Sequence, residues 1–309
     1  MSQYIFGVDI GGTAIKIGLF SEPGKLIDKW SILTRKEEQG ALILPDASAS
    51  ILDKCRESGI AKDNIKGIGV TVPGPVKNQR FAPVAVNLGW KDKYVADEME
   101  KILGVCVKVG NDANVAALGE VWDGAAADYQ SMIMVTLGTG VGGGVIIDKK
   151  IVEGAHGSAG EIGHAVMEPN ENEMCGCGGH GHMEQYCAAP GMIRLAKRRL
   201  AEDDSASLLR DEKLSTRTII AACEQGDQAA QEILARYTDY LGRALAAYAC
   251  VVDPEVFVIG GGVSGAGNIV LDPIRENYRK YAFPTSVDTA FVIAALGNDA
   301  GIYGAARLV

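Results

Sequence analysis

Gly7-Val8-Asp9-Ile10-Gly11-Gly12-Thr13 lies near the N-terminus, and Met134-Val135-Thr136-Leu137-Gly138-Thr139-Gly140 repeats its logic 127 residues later. Each stretch is an apolar run that ends in a Gly/Thr turn and resumes as a second apolar run. The pattern reads as strand, tight turn, strand. Two copies in one chain predict two related halves that face a common ligand.

Around these copies, β-branched apolar runs alternate with helical patterns. Strands are expected at Tyr4–Val8, Ile15–Phe20, Lys66–Val72, Val105–Val109, Met132–Leu137, Gly143–Ile147, Val256–Ile259 and Phe291–Ala294. Helices are expected at Asp46–Arg56, Val95–Leu103, Ala113–Trp122 and Ile193–Leu200, across Thr216–Ala249 as two or more, and at Ala300–Leu308. The alternation is that of an α/β protein.

A chain of 309 residues, 47% apolar and 22% charged, has room for two domains with separate cores. The 39 glycines are clustered, which marks loops where backbone approaches something closely. A net charge of −9 gives no electrostatic support to nucleic-acid binding. The first residues lack a secretory pattern. The longest apolar tract, Ala244–Ile259, is broken by Asp253, Pro254 and Glu255, so no membrane span and a cytoplasmic location are expected. Of seven cysteines, Cys55, Cys106, Cys187, Cys223 and Cys250 read as buried reduced thiols.

The Gly-rich turns have a clear chemical use. Without Cβ atoms, backbone N–H groups converge on an anion, and a threonine hydroxyl adds a donor. Gly11, Gly12 and Thr13 form one candidate phosphate loop; Gly138, Thr139 and Gly140 form the other. Asp9 beside the first can hold a hydrated Mg2+ ion. Neither loop continues into the Gly-Lys-Ser/Thr of a Walker motif. A third turn, Gly260-Gly261-Gly262-Val263-Ser264, follows a strand and suits contact with a nucleotide. Asn111-Asp112 stands where a strand gives way to a helix. Asp112 is there either a helix cap or a base that takes a proton from an attacking hydroxyl.

Asp9-Ile10-Gly11-Gly12-Thr13, Leu137-Gly138-Thr139-Gly140, Gly160-Glu161-Ile162-Gly163-His164 and Cys175-Gly176-Cys177-Gly178-Gly179 follow in this order. Together they resemble the ROK family of repressors, open reading frames and sugar kinases, and within it the bacterial glucokinases. The resemblance implies a duplicated, two-domain actin/hexokinase-like (ribonuclease H-like) α/β fold with an interdomain cleft. It implies a first domain at residues 1–115, completed by a helix at about 299–309, and a second at 116–298. It makes Asp112 the general base and Asn87, Asn111, Glu161, His164 and Glu184 sugar ligands. Thr13 and Thr139 would meet the ATP phosphates, and Gly261 and Gly262 would flank the adenosine. It also implies a structural Zn2+ held by His164, Cys175, Cys177 and, where most relatives have cysteine, His182. His180 is expected to be exposed.

The activity so implied is ATP-dependent transfer of a phosphoryl group to the 6-hydroxyl of glucose, by a homodimer. Asn87-Leu88-Gly89-Trp90 with the Glu161/His164/Glu184 set favours glucose over N-acetylmannosamine, fructose, allose or N-acetylglucosamine. A sugar-responsive regulator would carry a helix-turn-helix domain ahead of the first strand, and this chain opens on that strand.

Overall fold

The computed structural model describes residues 3–22 and 24–309. Twelve strands and ten helices occur among them. The strands are β1 Tyr4–Ile10, β2 Ala14–Ser21, β3 Lys25–Leu33, β4 Ile65–Val72, β5 Ala82–Ala85, β6 Trp90–Lys93, β7 Val107–Asn111, β8 Met132–Leu137, β9 Val141–Ile147, β10 Lys150–Ile151, β11 Val256–Gly260 and β12 Ala290–Ile293. The helices are α1 Glu37–Gly40, α2 Ile43–Glu57, α3 Val95–Leu103, α4 Asp112–Asp123, α5 Glu184–Cys187, α6 Ala189–Leu200, α7 Thr216–Glu224, α8 Gln228–Val252, α9 Asn268–Tyr281 and α10 Ala300–Arg307.

The chain forms two compact units. The first comprises Met1–Gln130, Gly144–Gly160 and Ala295–Val309; the second comprises Ser131–Gly143 and Glu161–Ala294. One sheet has the order β3-β2-β1-β4-β7 and another the order β10-β9-β8-β11-β12. In the first sheet β2 and β3 are antiparallel neighbours, and β1, β4 and β7 run parallel. In the second, β8, β11 and β12 run parallel and β10 is antiparallel to β9. Strand for strand the two orders correspond, which is the duplication that the repeated turn foreshadows.

Within the first unit, period-two alternation along β1 sorts its residues. Phe6, Val8 and Ile10 join a buried cluster with Ile43, Ala47 and Ile51 of α2 and Val95 and Met99 of α3. Ile5 packs on the other face with Ile302 and Ala306 of α10. Gly7 lies on that same face, paired in register with Gly18 of β2 and Gly69 of β4. A Cβ at Gly7 would lie 2.0 Å from the carbonyl oxygen of Ile302, and one at Gly69 would lie 1.6 Å from that of Ala305. The glycines therefore form a trough in which α10 rests on bare backbone. Gly304 of α10 and Gly119 of α4 permit the same close approach, since their Cβ atoms would meet Val115 O at 1.7 Å and Ala300 O at 2.5 Å.

Several elements escape the sequence reading. Strand β3 exposes Ile27 and Leu33 beside Lys29 and Ser31, and the β5–β6 hairpin is short; both lack a strong apolar alternation. Helix α9 carries Pro273 inside it, and its burial of Val270, Leu271, Ile274 and Tyr278 outweighs that break. Cys106 and Cys250, expected to be buried, are exposed. One sits in the turn between α3 and β7, the other on the outer face of α8. No helix among the described residues is long and apolar enough to cross a membrane.

Candidate active site and metal centre

In the first unit, Asp9 ends the α10-facing row of β1. Burial pushes its carboxyl above the usual range, and Lys16, 3.6 Å away on β2, opposes that shift. A Cβ at Gly301, in the first turn of α10, would lie 2.8 Å from the Asp9 carboxyl carbon, so glycine there gives the carboxylate room at a helix N-terminus. The adjacent loop is closed by Gly11 N–H donating to Ala14 O at 3.0 Å. Thr34, almost fully buried, grips it from outside: its hydroxyl donates to Gly11 O at 2.7 Å and its N–H to Thr13 O at 3.0 Å. Thr34 carries no motif that marks it in the sequence. The Thr13 side chain faces solvent. Asn87 is beside this loop, its carbonyl oxygen 3.7 Å from where a Gly12 Cβ would stand.

At the β7–α4 corner the helix cap is not Asp112. Asn111 is the cap: its Oδ1 accepts the N–H of Asn114 at 3.1 Å, and its Nδ2 donates to Gly74 O at 3.0 Å. Asp112 is the first helical residue, exposed, with its Oδ1 accepting the N–H of Ala113 at 2.8 Å. The capping duty falls on the neighbour, and the Asp112 carboxylate is placed where a solvent-borne group can reach it. Glu120, two turns along α4, is wholly buried and accepts backbone N–H groups of Ala125 at 2.8 Å, Ala295 at 3.1 Å and Leu296 at 2.9 Å. It anchors the turn that leads into α10.

In the second unit, the Gly138-Thr139-Gly140 turn is closed by Gly138 N–H on Gly140 O at 3.0 Å. It is held to the helical layer by Ala189 N–H on Gly138 O at 2.8 Å and by Val141 N–H on Glu184 Oε2 at 2.9 Å. Gly261 adopts φ +83, and a Cβ there would lie 2.5 Å from Leu137 O, the residue that enters the turn. Val263 N–H donates to the same oxygen at 3.1 Å. The second phosphate loop and the Gly261-Gly262 turn are thus brought together, whereas the sequence places them more than a hundred residues apart.

His164, at the end of a 3₁₀ turn (Ile162–His164), comes together with Cys175, Cys177 and His182 so that one donor atom from each lies within 4.8 Å of the others. Cys177 Sγ is 3.2 Å from His182 Nδ1, and Cys175 Sγ is 4.0 Å from His164 Nδ1. A turn closed by Cys175 N–H on Gly179 O at 2.7 Å holds the two thiols. An isolated bridge pairs Val166 with His182. A Cβ at Gly179 would lie 2.5 Å from the His182 ring, so that glycine makes space for imidazole. His164 turns its other nitrogen to Glu161, 3.8 Å from Oε2. His180 is exposed and lies outside the cluster, its Nδ1 3.2 Å from Glu173 O.

The metal loop is stapled to α6. Glu171, buried, is bonded by the Tyr186 hydroxyl, Arg194 and Arg198. The Tyr186 hydrogen bond, assisted by the Glu173 N–H and the two arginines, outweighs burial and holds the Glu171 carboxyl down at about 2.

The model of the ROK family matches residues 5–309. A glucokinase of Halalkalibacterium halodurans is 41% identical over 99% of this chain and 95% of its own. A glucokinase of Thermotoga maritima is 35% identical over 99% of this chain and 96% of its own. The crystal structure of a ROK family glucokinase from Streptomyces griseus, in complex with glucose and AMPPNP, aligns with a TM-score of 0.76 at 34% identity, covering 99% of both chains.

Proposed function

Because the chain belongs to the ROK family, with its actin/hexokinase-like α/β fold, we propose that it transfers the γ-phosphoryl group of ATP to the 6-hydroxyl of glucose. The observation that carries this reading is the 41% identity, over almost the whole of both chains, to a glucokinase.

Asp112 is the general base in this reading. Its exposure supports that role, since it can accept the proton of the sugar hydroxyl as the oxygen attacks phosphorus. Asn111 and Asn87 are sugar ligands on the same unit. Thr13 and Thr139, each exposed on a glycine turn, donate to ATP phosphates, and Asp9 orients the hydrated Mg2+ that accompanies ATP. Gly261 and Gly262 flank the adenosine. Glu161, His164 and Glu184 bind sugar hydroxyls. Positioning and charge stabilisation supply most of the rate in such transfers.

His164, Cys175, Cys177 and His182 fit a tetrahedral Zn2+ ion: two sulfur and two imidazole donors within 4.8 Å of one another are a sound donor set. When bound, the ion would organise the loop and supply no Lewis-acid chemistry. His164 then has two duties, Nδ1 on the metal side and Nε2 towards Glu161 and the sugar.

The test is ADP release from ATP-Mg2+ with a hexose panel and a blank without sugar. Turnover on glucose, with little on N-acetylmannosamine or fructose, is expected. Turnover on another hexose alone would overturn the choice of glucose, and none on any sugar would overturn the kinase reading.

A further inference from the structure

Glu153 lies in the segment after β10, eight residues before Glu161, and belongs to none of the groups assigned above. Its Oε1 accepts Gln79 Nε2 at 3.1 Å, and the Gln79 carbonyl accepts the N–H of Val109 in β7 at 2.8 Å. Two hydrogen bonds thus tie Glu153 to the strand that ends in Asn111. Gln79 holds this post at φ +53, next to Asn78 at φ +54. Left-handed backbone at non-glycine residues is unfavourable and persists where surrounding contacts over-determine it.

A second observation is independent of the first. Asn114 is buried, and its Oδ1 accepts no hydrogen bond among the described residues. Asn114, Asn111, Gly110, Glu153 and Gly157 line a cavity of about 10 Å³. That is room for one water, which needs two or more polar partners. A buried acceptor left without a donor destabilises the fold.

We infer that a buried water in this cavity donates one hydrogen to Asn114 Oδ1 and the other to the Glu153 carboxylate, and that Glu153 is a positioning residue for the Asn111-Asp112 corner. Through Gln79 it braces β7, and through the water it braces the first turn of α4. The inference rests on the reading of Asp112 as the base.

The experiment compares the full-length wild type with Glu153→Ala and Glu153→Gln, by glucose-kinase kinetics and by hydrogen exchange over residues 107–114. Glu153→Ala is expected to lower kcat roughly ten- to hundredfold, the effect of small misplacements of a reacting group, with KM for ATP unchanged and protection of 107–114 reduced. Glu153→Gln keeps one acceptor oxygen, enough for the Gln79 contact, and its amide can donate to a water turned about in the cavity, so it should be impaired less than Glu153→Ala on both readouts. Wild-type kcat and protection in Glu153→Ala would overturn the inference. Equal impairment of Glu153→Gln would also overturn it, because the retained tether to Gln79 would then contribute nothing. If Glu153→Ala fails to fold, Gln79→Ala removes the tether alone; a fall in kcat and protection supports the inference, and wild-type behaviour overturns it. A wild type inactive on every sugar would remove the functional reading, while protection of 107–114 in the variants would still decide the bracing.

Discussion

Glu184 Oε2 accepts the backbone N–H of Val141 at 2.9 Å, while Oε1 of the same carboxylate lies 3.7 Å from Cys175 Sγ. One side chain therefore touches both the second phosphate loop and the cysteine turn. Glycine at 140 leaves room for this contact, because a Cβ there would lie 2.3 Å from Glu184 Oε2. Gly140→Ala should displace the carboxylate and raise KM for the sugar roughly ten- to hundredfold, which corresponds to losing one hydrogen bond to a charged group, about 1.5–3 kcal/mol. Steady-state kinetics with varied glucose would check it, and an unchanged KM would remove Glu184 from the sugar site.

Asn111 and Asp112 divide two duties, so their variants should separate. Asp112→Asn is expected to lower kcat by roughly 100- to 10,000-fold with no loss of stability. Asn111→Ala removes the cap and should cost about 1 kcal/mol in urea unfolding, with a weaker grip on sugar. Retention of turnover by Asp112→Asn would exclude it as the base.

The His2Cys2 cluster should retain about one Zn2+ per chain after gel filtration, measured by atomic absorption. Cys177→Ala, which removes the sulfur nearest His182, should lose most of it. A protein that purifies metal-free and takes up no zinc would show the loop to be held by hydrogen bonds alone.

Gly69→Ala puts a methyl group into the backbone of α10. Overpacking of this kind costs about 1–3 kcal/mol where neighbours can yield, and a helix carbonyl cannot yield cheaply. Gly69→Ala should therefore lie at or beyond the upper end of that range in urea unfolding. Gly265→Ala, with no atom within 4 Å of the added Cβ, should change stability little.

Glu171 gives a prediction for acid. Its folded carboxyl sits at about 2, below its ordinary value of 4.5, held first by the Tyr186 hydroxyl. A depressed carboxylate stabilises the fold above the ordinary value, and that share is lost as pH falls from about 4.5 towards about 2. Metal-free wild type should lose stability steadily through this window, and Glu171→Gln should show a flatter profile. Parallel profiles would mean that other carboxylates govern acid unfolding.

Local signals explain what could be read early. Asp9 to Thr13 and Leu137 to Gly140 announce themselves because a strand that ends in a glycine turn is written in neighbouring residues. The same holds for the Glu161–His164 and Cys175–Cys177 spacings. Strand β3 and the β5–β6 hairpin were silent because their alternation is weak, and α9 because tertiary burial overrides an internal proline. Thr34, Glu120, Gln79 and Glu153 act across long separations, with no local pattern to mark them.

By itself the sequence determined the α/β class, the duplicated strand–turn–strand unit and the residue types from which phosphate, sugar and metal ligands could come, because these depend on periodicity and chemistry along a few adjacent positions. Only the tertiary structure decided that Asn111 rather than Asp112 caps α4, that Gly7, Gly18 and Gly69 align across three strands, and that Gly179 leaves space for His182. Each of those depends on strand register or side-chain volume between residues that meet only after the chain has folded.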